Sequence, residues 1–174
     1  MDLIATVFEI IDMRSFSNLW YWIALAVLWS STSHWVMGVP YDMLPRARRE
    51  GGQAQADVEE LARIYSSRLL AVVRAAGLWI VALGCFWMSV LGVLSFYYDV
   101  EFAQAVFFLV APMTIVIWLS LRCARLIEAG ENSGEALYRR LSIHRRFLQV
   151  LGMVSIFITS LFGMWQNLSN SILN

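Results

Sequence analysis

The chain has 174 residues, 59% of them apolar and 15% charged, with a formal net charge of zero. Soluble domains carry about 45–50% apolar residues, and the excess here is gathered into four long blocks instead of amphipathic faces. That pattern excludes an ordinary soluble domain and predicts one membrane domain, with no nucleic-acid partner. All thirteen basic residues are arginine; nothing in the sequence explains the absence of lysine.

The opening stretch MDLIATVFEIIDM lacks the basic start of a cleavable signal peptide and carries Asp2, Glu9 and Asp12 instead, so it is expected to remain in the mature protein. Leu3, Ile4, Val7, Phe8 and Ile11 fall on one helical face. They predict a short amphipathic helix over 1–14, lying in the interface or packed on the bundle. The first apolar block, 19–37, holds four tryptophans and no acidic residue or arginine. At ~1.5 Å per residue it is about as long as a bilayer core is thick. Ser30, Ser31, Thr32, Ser33 and His34 follow one another near its end, and hydrocarbon offers them no partners, so this span should pack against other helices.

A loop is expected next, broken by Pro40, Pro45, Gly51 and Gly52. Asp57 with Glu60 marks a helix start. From there Val58, Leu61, Tyr65, Leu69 and Val72 keep an apolar face up to the second block, 75–96. Residues 38–74 thus read as a loop and a wet helical arm. Tyr97 to Glu101 form a polar turn before the third block, 102–121, with Pro112 a kink near its middle and Arg122 and Arg125 at its end. Residues 122–146 repeat the loop and arm, Asn132 and Glu135 echoing the helix-start spacing, and lead into the fourth block, 147–168.

Arg46, Arg48, Arg49, Arg63, Arg68 and Arg74 lie between the first and second blocks, and Arg122, Arg125, Arg139, Arg140, Arg145 and Arg146 between the third and fourth. The positive-inside bias then puts both long loops in the cytoplasm and both termini outside. Tryptophans and tyrosines at the block ends fit interfacial belts. The expected fold is all-α: a polytopic membrane protein with four transmembrane helices, two cytoplasmic helical extensions and the short N-terminal amphipathic helix.

Candidate sites are few. His34 and His144 fall at similar depths and could hold a haem iron or half of a metal site, but no acidic residue or cysteine stands at ligand spacing from either. No cofactor, metal or catalytic set is therefore expected, and no phosphate loop, nucleophile elbow or zinc signature occurs. Cys85 and Cys123 differ in depth by ~15 Å, too far for a disulfide. Ala26, Ser30 and His34 form one stripe, with Ser33 beside it; Ser155, Thr159, Gly163 and Asn167 form another. Such stripes serve close helix packing, or a pore in an oligomer; the lack of an ionisable residue at mid-membrane favours packing. Arg122, Arg125, Arg139, Arg140, Arg145 and Arg146 set topology and are the candidates for anionic lipid or an acidic partner.

The segments MRSFSNLWYWIALAVLWSSTSHWVMGVPYDM, YYDVEFAQAVF, ALYRR and GMWQN together resemble a small family of alphaproteobacterial membrane proteins labelled as a component of the SufBCD complex. The resemblance implies a Gram-negative inner membrane and an association with iron–sulfur cluster assembly. A cluster scaffold would use several cysteine ligands, and Cys85 and Cys123 are too few and poorly placed. The function expected is that of a non-enzymatic accessory or scaffold subunit docking a partner through its cytoplasmic arms. A homo-oligomeric channel or small transporter is the alternative, followed by a haem-bearing electron carrier.

Overall fold

The structure, a computed structural model, describes Phe16 and residues 18–172, with side chains described to Leu168. The amphipathic helix expected over 1–14 lies outside the described residues. The chain is mostly helical. Helix α1, Leu19–His34, starts at Asn18, whose Oδ1 accepts from the Trp20 amide at 3.0 Å, satisfying one of the free first-turn donors.

The apolar block predicted to run to residue 37 leaves the helix at His34. Trp35–Val36 (β1) and Val39–Pro40 (β2) form a two-stranded antiparallel hairpin, Val36 opposite Val39. Met37 and Gly38 between them both have positive φ, 53° and 75°, the geometry of the tight hairpin turns whose twist matches the strands. Gly38 also permits a close approach: a Cβ there would lie 2.6 Å from Tyr65 Cδ2. The apolar residues Val36 and Met37 serve a protein core instead of a lipid face.

The expected loop is itself structured. Helix α2 covers Met43–Glu50, with Leu44 and Ala47 buried. Pro45 sits in its first turn, where the missing amide would have had no helical acceptor. Gly51 and Gly52, at φ 61° and 53°, redirect the chain into α3, Gly52–Phe96, a single helix of 45 residues and ~68 Å. It begins five residues before Asp57, because Gln53 to Ala56 are good helix formers. Asp57 accepts instead from Gln53 Nε2 at 2.8 Å.

A turn with Asp99 at φ 50° leads to α4, Glu101–Glu128. Arg122 and Arg125 do not end this helix. It continues to Glu128, and the connection shrinks to 129–133, where Gly130 adopts φ 126°. Pro112 lies inside α4 without ending it. Helix α5, Gly134–Ile172, joins arm and apolar block in one rod. Its first amide donates to Glu59 Oε1 on α3 at 2.8 Å.

Helices α3, α4 and α5 are each long and apolar enough to cross a membrane, consistent with a multi-pass membrane protein. Helix α1, with 16 residues, is ~24 Å long. It lies antiparallel on α5: Phe16 covers Gly163, Trp29 covers Gly152, and the Ser33 carbonyl accepts from Arg145 Nε at 3.3 Å. At the Arg145 end, β1, β2, α2 and the arm segments of α3, α4 and α5 enclose the main core, including Val36, Leu44, Val58, Ile127 and Leu141. The arms therefore bury apolar surface on each other. The buried stripe of the α3 arm is Val58, Ala62, Ser66 and Leu70, whereas Leu61, Tyr65 and Val72 of the expected face stay exposed. Small Ala62 and Ser66 let the neighbouring helix approach closely, and that sets which face turns inward.

Candidate functional site

Arginine placement organises the chemistry of this end of the bundle. Arg48 pairs with Glu135 at 2.6 Å, and Arg74 with Glu128 at 2.5 Å, each ion pair joining two elements. Of the six arginines singled out for anionic ligands, two have structural duties. Arg140 grips Glu131 across the 129–133 turn with both Nε and Nη2, the latter at 2.7 Å. This guanidinium holds the Glu131 carboxyl below the usual glutamate range. Arg145 lies 3.5 Å over the Tyr41 ring while donating to Ser33. Arg122, Arg125, Arg139 and Arg146 are exposed and form no ion pair among the described residues.

Arg122 borders a cavity of about 290 Å³ between α4 and α5. Trp118 and Phe147 stand at its end nearer the apolar blocks, Arg122 and Arg140 at the other. His144 and Cys123 form part of the wall, both buried. The Arg122 guanidinium lies 5.9 Å from the Trp118 ring centre, and His144 Nε2 is 3.4 Å from Ser120 Oγ.

The two histidines have different surroundings. His144 is turned toward Ser120 on α4; His34 is exposed at the end of α1, its ring against Trp35 at 5.9 Å. No group of three or more histidine, cysteine or acidic side chains able to hold a metal occurs among the described residues. Cys85 is an exposed free thiol and Cys123 a buried one.

Two polar residues of α1 find partners within their own helix. Thr32 Oγ1 donates to the Leu28 carbonyl at 2.7 Å and Ser33 Oγ to the Trp29 carbonyl at 2.8 Å, a back-bond that needs no second helix. Ala26, Ser30 and His34 remain exposed. The stripe on α5 differs: Ser155, Thr159 and Gly163 are buried, Asn167 half-buried. Thr159 Oγ1 donates to the Ser155 carbonyl at 2.7 Å, and Gly163 accommodates Phe16.

One feature escapes a reading of the sequence, and one reverses it, since most of the apolar face named there on the α3 arm is left open. The Glu131–Arg140 pair spans a turn and leaves no short-range pattern. The α3 arm carries a second apolar stripe, with Leu61 37%, Ile64 39%, Tyr65 43% and Val72 54% exposed and Arg68 among them. Its signal was present, because the arm has apolar residues at more positions than one buried face can use. Comparison with protein-family models, curated proteins and solved structures finds no match to this chain.

Proposed function

We propose that this chain is a four-span protein of a Gram-negative inner membrane that serves as a non-enzymatic accessory or scaffold subunit of a larger complex. The carrying observation is the exposed stripe Leu61, Ile64, Tyr65 and Val72 on the α3 arm. The arms have already buried one apolar face on each other, and water does not favour leaving a second one open. A partner helix with a matching apolar face, flanked by carboxylates for Arg68, would cover it.

The fourth span in this reading is α1. Together with Phe16 just before it, it runs beside α5 from the level of Gly163 to that of Arg145, a rise of ~27 Å along α5, and so traverses the same slab as the α5 apolar block. Helix α4 supports that thickness: Glu101 accepts from the Phe16 amide at 3.0 Å at one end, and Ser120 meets His144 at the other, ~28 Å apart. The ion-paired arms and their arginines then face the cytoplasm, with both termini periplasmic.

Native mass spectrometry of the chain released from membranes in mild detergent tests the role. A second protein should accompany it, and Leu61→Glu with Val72→Glu should abolish the association while the chain stays folded. A monodisperse monomer without a companion would count against the proposal. Epitope tags at the two ends of the chain, probed on intact cells, test the topology; both should be accessible without rupture of the inner membrane.

One observation favours the homo-oligomeric channel as the second reading. The Ala26, Ser30 and His34 face of α1 is left open by the other helices, so copies of the chain could bring it together around a shared axis. Ion flux in liposomes that disappears on Ser30→Leu or His34→Leu would favour it over the scaffold.

A further inference from the structure

We propose that the cavity between α4 and α5 binds the headgroup of one anionic phospholipid, with the phosphate on Arg122 and the start of the acyl region against Trp118 and Phe147. The inference rests on the membrane reading above and adds a lipid ligand to it.

Three observations converge on this occupant. The first is charge. Arg140, on the α5 wall, is neutralised by both oxygens of Glu131, whereas Arg122 on the α4 wall meets no carboxylate among the described residues. A guanidinium held beside a lined space and lacking its own anion suits an added phosphate, which it can bind through two parallel hydrogen bonds.

The second is polarity along the cavity. Because α4 and α5 run in opposite directions, Trp118 and Phe147 share the end nearer the apolar blocks and Arg122 and Arg140 the end nearer the arms. An amphiphile with its tail toward the membrane matches that gradient; a free anion would leave the aromatic half unused. The third is level. The cavity, with His144 in its wall, lies at the level of the Ser120–His144 contact, where the apolar stretches of both helices give way to arginine-bearing arms. Lipid phosphates and interfacial tryptophans occupy that depth. Its volume of about 290 Å³ lies near the lower bound, about 300 Å³, of small-molecule pockets, which suits a headgroup and not a whole lipid.

The test uses the full chain in neutral detergent micelles, with phosphatidylglycerol or phosphatidylcholine of identical acyl chains added and bound lipid counted by native mass spectrometry. The wild type should retain one phosphatidylglycerol with at least a tenfold preference over phosphatidylcholine. Arg122→Gln should lose that preference, Arg122→Lys should keep part of it, and Arg125→Gln, which removes an exposed arginine outside the cavity, should leave it intact. Unfolding midpoints of the variants establish that they remain folded. Equal retention of the two lipids would overturn the proposal. So would equal losses in Arg122→Gln and Arg125→Gln, the mark of a diffuse charge belt, or displacement by millimolar inorganic phosphate, the mark of a free-anion site. Failure of the membrane reading has a separate sign: alkaline carbonate would release the chain from cell membranes, whereas failure of this proposal alone leaves it membrane-bound without lipid preference.

Discussion

Trp29 occupies the space above Gly152: a Cβ at residue 152 would come within 2.8 Å of Trp29 Cε3 and 3.1 Å of Cδ2. The indole is buried, so it cannot swing aside without displacing α1 from α5. Gly152→Ala should therefore destabilise the fold by about 1–3 kcal/mol, the usual cost of overpacking. Gly84 provides the internal control, since nothing lies within 4 Å of a Cβ placed there. Gly84→Ala should be neutral or stabilising by up to about 1 kcal/mol, because alanine is the better helix former. Unfolding midpoints of the two variants in one detergent check the contrast. Equal behaviour would mean that α1 does not dock on α5 through this glycine.

The hairpin contact with α3 gives a second prediction. Gly38 combines φ 75° with a Tyr65 ring 2.6 Å from where a Cβ would be. Gly38→Ala meets both penalties, about 1–2 kcal/mol for the left-handed backbone and about 1–3 kcal/mol for the clash. Tyr65→Ala leaves the first and relieves most of the second, removing the ring carbons at 2.6 and 2.8 Å and keeping only the residue-65 Cβ at 3.0 Å. In a double-mutant cycle, Gly38→Ala should be milder in the Tyr65→Ala background by roughly the clash alone. A purely additive result would remove Tyr65 from the account.

How much of this was legible beforehand depended on the range of the forces involved. The continuity of α3 followed from the absence of any breaker after Gly52, and the apolar blocks of α3, α4 and α5 from their length. The end of α1 was not legible, because Trp35, Val36 and Met37 are apolar whether they face lipid or the core of the arms. Only the twist at Met37–Gly38, confirmed against Tyr65 from a distant helix, decides between those environments. Arg122 and Arg125 misled for a related reason. Arginine marks where apolar sequence stops, but it is a good helix former, so α4 continues through both. For the site, the arginines could be named from charge alone. Which of them was already neutralised, Arg140 by Glu131, required the 129–133 turn supplied by the fold.

Acid should act on the turn between α4 and α5. The Arg140 guanidinium holds the Glu131 carboxyl below the ordinary glutamate value in the folded state. Unfolding releases that carboxyl to its ordinary value, so the unfolded state binds the proton first as pH falls. The pair therefore contributes its full stabilisation above the ordinary glutamate range, and that contribution disappears as pH drops through the lower folded value. Glu131→Gln should flatten this part of the stability–pH curve while changing the slope above pH 6 little. Denaturant midpoints of wild type and variant at a series of pH values check it; superimposable acid limbs would show that Glu131 carries none of the dependence.

The two thiols report on where lipid begins. Cys85 is exposed in a stretch of α3 where every side chain from Leu78 to Trp87 is open to the surroundings, and Cys123 is buried near the Glu131–Arg140 pair. A charged maleimide needs water and a thiolate to react. If the surroundings of Cys85 are hydrocarbon, intact membrane vesicles should give no labelling there despite its exposure, and Cys123 should be silent because protein covers it. Dissolving the vesicles in mild detergent leaves both unlabelled by the charged reagent, whereas a lipid-soluble maleimide should now distinguish them, modifying Cys85 in preference to Cys123. Full denaturation should expose both. Prompt reaction of Cys85 with the charged reagent in intact vesicles would place this part of α3 in water, and the wide apolar surface from Leu78 to Trp87 would then have to be covered by another protein instead of by lipid.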